Sequence, residues 1–183
     1  IVTGLNGGTN VDLETDDAGM GTGDITVNAD IIKSAGGDST LTLQAHNDVI
    51  LNGTIRSNTT EGTLNVNILT DSDASGEGDL ELRNTEIYTT QTSLGISKGG
   101  AGNPGSIVKL SGDTVIQEQI LFTPTIAEFT WSGGTISGPG FIGFSGTTTI
   151  DGGVVLEDAT FANLGTMEMT GDASITFTDS DPA

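Results

Sequence analysis

Oxygen-bearing residues alternate along one short stretch of the chain: Asp71, Asp73, Ser75, Glu77 and Asp79, with Gly76 among them. Calcium takes about six to eight oxygen ligands at short range, and alternating carboxylates and hydroxyls on a Gly-bent loop can supply them. The first, third, fifth and sixth positions match the calcium loop of helix-loop-helix proteins. The twelfth, which should be a bidentate Glu, is Leu82. Asp, Ser and Gly are also ordinary turn formers, so the stretch reads either as a calcium loop or as a solvated acidic turn between two strands. Asp16, Asp17 and Asp24 form a partial second copy. The Gly-Gly-x-Gly-x-Asp array of a calcium β-roll is missing.

Other chemistry is thinly supplied. His46 is the only histidine, so no multi-histidine metal site can form; among Gln44, Ala45, Asn47 and Asp48 it reads as a turn residue on the surface. Paired carboxylates can hydrolyse sugars, and 25 acidic residues will bring some pairs together by chance. A lyase acting on uronates also needs basic groups, and this chain has only Lys33, Arg56, Arg83, Lys98 and Lys109. The expected reading is therefore a protein without catalysis, with a carbohydrate-active enzyme as the alternative. Trp131 and the six Phe residues beyond residue 120 could stack on sugars, but such side chains more often fill a core.

A formal net charge of −20 repels phosphate backbones and anionic lipid surfaces, which excludes ordinary nucleic-acid binding and electrostatic membrane docking. Cations are the electrostatic partners that remain. No apolar run approaches the ~20 residues of a membrane-spanning helix. Cysteine is absent, which a repeat fold tolerates because stacking, not disulfides, buries its core.

The elements that must position these residues are short strands. No apolar stripe of helical period is sustained, and Gly, Thr, Asn and Asp recur too often for long helices. Alternating runs such as Ile25-Thr26-Val27, Leu41-Thr42-Leu43, Val49-Ile50-Leu51 and Leu80-Glu81-Leu82 are bounded by Gly-Asp, Asn-Asp or Asn-Gly. Thr147–Ile150, Val154–Leu156, Met167–Met169 and Ile175–Phe177 continue the pattern. Two series repeat: Val11, Asp16, Gly23-Asp24-Ile25 and Val66, Asp71, Gly78-Asp79-Leu80, with Val11 and Val66, like Gly23 and Gly78, 55 residues apart. Such cadence predicts an all-β parallel β-helix, a solenoid in which two or three coils make the 55-residue unit. A β-sandwich is the structural alternative. Residues 1–118 read as coils with the internal duplication, and 119–183 as a continuation with a more aromatic core or a separate small β module. The chain opens at Ile1 with strand-like sequence and reads as part of a longer chain.

Ser39-Thr40-Leu41-Thr42-Leu43-Gln44-Ala45 followed by Asn47-Asp48-Val49-Ile50-Leu51-Asn52-Gly53-Thr54-Ile55 resembles the repeats of filamentous-haemagglutinin-type exoproteins, the large bacterial adhesins of two-partner secretion. Leu69–Leu80 is similar to the acidic Gly-rich turns of those proteins. Phe129–Gly140, Gly152–Leu156 and Ala162–Met167 resemble coils of long bacterial surface proteins. The resemblance implies a right-handed β-helix, a secreted or cell-surface location, and an adhesive or structural role. The partner would be a surface receptor, a glycan or a neighbouring protein.

Overall fold

The computed structural model describes residues 1–16, 21–75, 78–88, 94–98, 107–111, 114–116, 119–122, 128–138, 141–144 and 146–179. One short helix, α1 (Val2–Asn6), precedes the strands. These run in chain order as β1 (Val11–Glu14), β2 (Ile25–Val27) and β3 (Ile31–Lys33); then β4 (Ser39–Gln44), β5 (Val49–Leu51) and β6 (Ile55–Ser57); then β7 (Leu64–Thr70), β8 (Leu80–Arg83) and β9 (Glu86–Tyr88). They continue as β10 (Leu94–Lys98), β11 (Ile107–Ser111) and β12 (Thr114–Ile116); β13 (Gln119–Phe122), β14 (Glu128–Trp131) and β15 (Gly134–Ser137); and β16 (Phe141–Phe144), β17 (Thr147–Glu157), β18 (Thr160–Asn163) and β19 (Thr166–Thr178).

The chain is all-β, and every strand pairing among the described residues is parallel. Each strand from β1 to β14 pairs with the strand three later in the chain, and β15 and β16 pair with the strand two later. One sheet runs β1-β4-β7-β10-β13-β16-β18. The other joins the series from β2 and the series from β3 through β17, whose first half pairs with β14 and whose second half pairs with β15. The pairing crosses residues 118 and 119 without interruption, β10 to β13, β11 to β14 and β12 to β15; Glu118 itself lies outside the described residues.

The 55-residue repeat corresponds to two steps of this pairing. Val11 lies opposite Leu41 and Leu41 opposite Val66, steps of 30 and 25 residues. Ile25 lies opposite Val49 and Val49 opposite Leu80, steps of 24 and 31. Towards the C-terminal end the steps shorten: Trp131, Ile150 and Met169 follow at intervals of 19. With steps of 19 residues, the 55-residue spacing does not recur there.

Alternation sets the core. In β4 the odd positions Ser39, Leu41 and Leu43 are buried and the even ones partly exposed, and β7 repeats the pattern. Registered apolar positions stack, as in Leu51 on Leu82 and Trp131 on Ile150. Trp131 and Phe129 are both buried and lie 6.4 and 6.3 Å from the ring of Phe161. They fill the core and present no sugar-stacking surface.

Three local expectations are corrected. Val2–Asn6 is helical, not strand-like: a helical turn satisfies its own backbone while burying Leu5. Thr147–Ile150 and Val154–Leu156 are one strand, because Gly152 at φ +130° passes Asp151-Gly152-Gly153 through a bulge without ending the ladder. Met167–Met169 and Ile175–Phe177 are likewise one strand, β19. No helix among the described residues is long and apolar enough to cross a membrane.

Candidate functional site

Asp16, Asp24, Asp71, Asp73 and Asp79 gather at one corner of the fold, where β1 leads into β2, β4 into β5 and β7 into β8. Asp24, Asp48 and Asp79 each stand immediately before a strand, in register with one another. Asp24 Oδ1 accepts hydrogen bonds from the Asp48 amide (3.1 Å) and from Asn47 Nδ2 (2.7 Å). Asp48 Oδ1 accepts in turn from the Asp79 amide at 2.7 Å. The backbone ladder runs beside these bonds, with the Ile25 amide donating to the Asp48 carbonyl and the Val49 amide to the Asp79 carbonyl.

The same device recurs at the other corners. Asn10 accepts from the Thr40 amide (2.9 Å), Asp30 from Thr54 (2.9 Å) and Asp38 from Thr63 (2.8 Å). In every case the oxygen belongs to the earlier strand's lead-in and the N–H to the later one. Each such bond satisfies a backbone donor just outside the regular ladder. The candidate ligands therefore divide: Asp24 and Asp79 belong to a column in which Asp24 caps the Asp48 amide and Asp48 caps the Asp79 amide.

Electrostatics follow from the stacking. Burial pushes Asp24 up, but hydrogen bonds from Thr22, the Asp48 amide and Asn47 outweigh it and hold the carboxyl below its ordinary value. The Thr63 amide, then its hydroxyl, lowers Asp38. Asp48 is raised, first by burial and then by the nearby charges of Asp24, Asp79 and Glu81, against the lowering bond from the Asp79 amide.

The remaining candidates lie on the turn after β7. Asp71 is fully buried at φ +49°, with its amide donating to the Asn47 carbonyl (3.2 Å) and its Oδ1 accepting from Ser75 Oγ (3.0 Å). Asp73 is exposed; its Oδ1 accepts from the Ser75 amide (3.2 Å), the chief reason its carboxyl is lowered. The turn thus brings Asp71, Asp73 and Ser75 together around Ser75, while Asp79 bonds back to Asp48. Gly78, at φ +120°, passes 2.7 Å from the Asn47 carbonyl measured to where a Cβ would stand, so only glycine fits there. Gly76, Glu77 and Asp17 lie outside the described residues. Among the described residues no group of three or more acidic or histidine side chains is placed to hold a metal ion.

His46 is half-buried and its amide donates to Thr15 Oγ1 at 3.0 Å. It lines an open cleft of about 400 Å³ with Gly21, Thr22, Asn47, Asp73 and Ser75. A second cleft, of about 750 Å³, lies between Asp38 and the 57–63 segment, with Glu61 on its wall. Neither is lined by a described Arg, Lys or aromatic side chain. What the corner does chemically is hold backbone amides. Sequence reading missed that role, although a signal was present: Asp or Asn stands directly before Val11, Ile25, Ile31, Ser39, Val49 and Leu80.

No family model, no curated protein and no solved structure matches the chain.

Proposed function

We propose that this chain is a length of right-handed parallel β-helix serving as a stiff structural or adhesive segment of a secreted or cell-surface bacterial protein. The observation that carries the reading is the three-strand period: each strand from β1 to β14 pairs in parallel with the third strand after it, and one-way Asp and Asn bonds link the first layers at the corners. Sandwich sheets are antiparallel, whereas a chain winding about one axis makes parallel pairs of this kind. Right-handedness follows from the strong preference of parallel crossovers for that hand. Rigidity is additive, because each layer contributes its own ladder and its own apolar steps. The export and adhesive parts of the reading rest on the resemblance of Ser39–Ile55 to haemagglutinin-type repeats and on a polar, acidic exterior.

The winding is tested by paired cysteines at outward register partners, D12C with T42C and T42C with N67C. Both pairs should close under mild oxidation without loss of the β-type circular-dichroism spectrum. The function is tested by screening the immobilised chain against glycans and matrix proteins, alongside a reducing-end assay on polysaccharides. Saturable binding without turnover supports a structural or adhesive role; steady release of reducing ends would replace it with a carbohydrate-active enzyme. Thermal unfolding with calcium and with chelator tests the loop at Asp71, Asp73, Ser75, Glu77 and Asp79, since a ligand that binds only the folded chain raises its melting temperature.

A further inference from the structure

The two clefts described above differ in what their polar groups do. Around the cleft beside His46 the polar side chains are bonded to one another: Ser75 donates to Asp71, and Asn47 and Thr22 donate to Asp24. In the cleft of about 750 Å³ between Asp38 and the 57–63 segment, several are not. Ser57, the last residue of β6, forms part of that wall; it is 2 % exposed and its hydroxyl makes no hydrogen bond. A buried hydroxyl without a partner destabilises the fold that carries it, so its presence at a cleft wall points to a ligand. Asn58 and Thr60 are exposed, and their side chains make no hydrogen bond among the described residues. Asp38 accepts from Thr63, and Glu61 Oε2 accepts from the Gly36 amide at 3.2 Å. A carboxylate offers about four lone-pair sites, so both keep acceptor capacity.

We infer that this cleft binds a neutral saccharide, whose hydroxyls donate to Asp38 and Glu61 and accept from Ser57, Asn58 and Thr60. The inference deepens the adhesive reading proposed above and rests on it. The chemistry of the wall selects the ligand. Every sugar hydroxyl is both donor and acceptor, and the wall offers both kinds of partner side by side. It holds no Leu, Ile, Val or aromatic side chain, so nothing in it suits an apolar peptide or a lipid tail. Two carboxylates without a described Lys or Arg in the wall repel a uronate or a phosphate. A bare cation is the poorer fit, because the Lys33 ammonium already lies within coulombic reach of Asp38. The volume falls in the range of about 300–1,000 Å³ that small-ligand sites occupy. Without an aromatic platform, affinity for a single sugar is roughly millimolar.

The test titrates the full isotope-labelled chain and follows its amide shifts. The probes are the methyl glycosides of glucose, galactose, mannose and N-acetylglucosamine, with methyl glucuronide and calcium chloride as controls. At least one neutral glycoside should shift the Asn58, Thr60 and Glu61 amides saturably, and the glucuronide should bind at least about tenfold more weakly. E61Q keeps an acceptor for the Gly36 amide and removes a charge, so it should narrow that gap. S57A should weaken sugar binding while leaving the free chain as stable as the parent or more so, since it deletes a hydroxyl that the fold leaves unbonded. N58A, at an exposed position, should weaken binding without touching the core. The inference is overturned if no neutral glycoside shifts those amides, or if calcium shifts them and no sugar does. It is also overturned if S57A destabilises the free chain, because the hydroxyl then serves the fold. Glycan binding in the screen proposed above, but away from these amides, removes the cleft and leaves the adhesive reading standing; a screen in which no glycan binds removes both.

Discussion

The Asp48 carboxylate accepts a 2.7 Å hydrogen bond from the backbone amide of Asp79, 31 residues further along the chain. The bond joins two layers at the corner where Asp48 is itself bonded, through its own amide, to Asp24. Removing the acceptor with D48A strands a half-buried N–H, which costs about 1–3 kcal/mol. D48N keeps an acceptor oxygen and removes a charge crowded by Asp24, Asp79 and Glu81. Urea denaturation at pH 7 should therefore rank D48N at or above the parent and D48A clearly below it. Equal losses in both variants would mean that the charge, not the acceptor, holds the corner.

The pH dependence of stability has two opposed parts. Asp24 and Asp38 titrate lower in the folded chain than in the unfolded chain. Their stabilisation is present above the ordinary carboxylate value of about 4 and is lost as pH falls through the lower folded values. Asp48 is raised, so its protonation favours the folded chain, and its contribution is lost as pH rises through its folded value. Stability should accordingly rise as the pH drops from neutral through the raised folded value of Asp48, and fall as it drops further through the lowered folded values of Asp24 and Asp38. Urea midpoints measured between pH 3 and 7 should lose the shallow rise in D48N and keep it in D38N.

Much of the fold was legible in particular residues. Ile25-Thr26-Val27, Val49-Ile50-Leu51 and Leu80-Glu81-Leu82 alternate and are strands, and their Gly-Asp or Asn-Asp lead-ins mark the corners. Alternation reports which side of a strand is buried, but it does not report partners. Pairing was visible only because Val11 and Val66 kept a fixed spacing over two steps. Once the steps contracted, Trp131, Ile150 and Met169 carried no repeat that a reader could align. The site was less legible. Asp71, Asp73 and Ser75 do meet, yet Asp24, which looks like the same kind of turn residue, caps the Asp48 amide, and Asp79 has its own amide capped by Asp48. A carboxylate's spacing along the chain says nothing about which neighbouring layer supplies its hydrogen-bond donor.

Lys33 joins the helix to the stack. Its side chain is buried, and Nζ donates to the carbonyls of Leu5 (3.1 Å), Ala35 (2.6 Å) and Gly36 (3.1 Å). The ammonium carries three donors and all three are used. K33M keeps much of the apolar stem and deletes those bonds, leaving the Leu5 carbonyl at the end of α1 without this donor. The expected loss is about 1–3 kcal/mol. Hydrogen exchange should accelerate most at the Gly7 and Gly8 amides, which bond within the α1 turn. Uniform acceleration across β4 and β7 instead would show that Lys33 stabilises the whole stack and not the helix.

Ile150 and Met169 are neighbours in one column, a single pairing step apart. Ile150 is wholly buried, whereas Met169 is half exposed. Truncating a buried Ile to Ala costs about 2–5 kcal/mol, because the surrounding side chains close the cavity only in part. Truncating Met169 removes surface that water already reaches, so M169A should stay within about 0.5–1 kcal/mol of the parent, the range of a substitution that opens no cavity. Guanidinium denaturation of I150A and M169A side by side measures the contrast. A loss in M169A as large as that in I150A would mean that the C-terminal layer is already covered in the isolated chain.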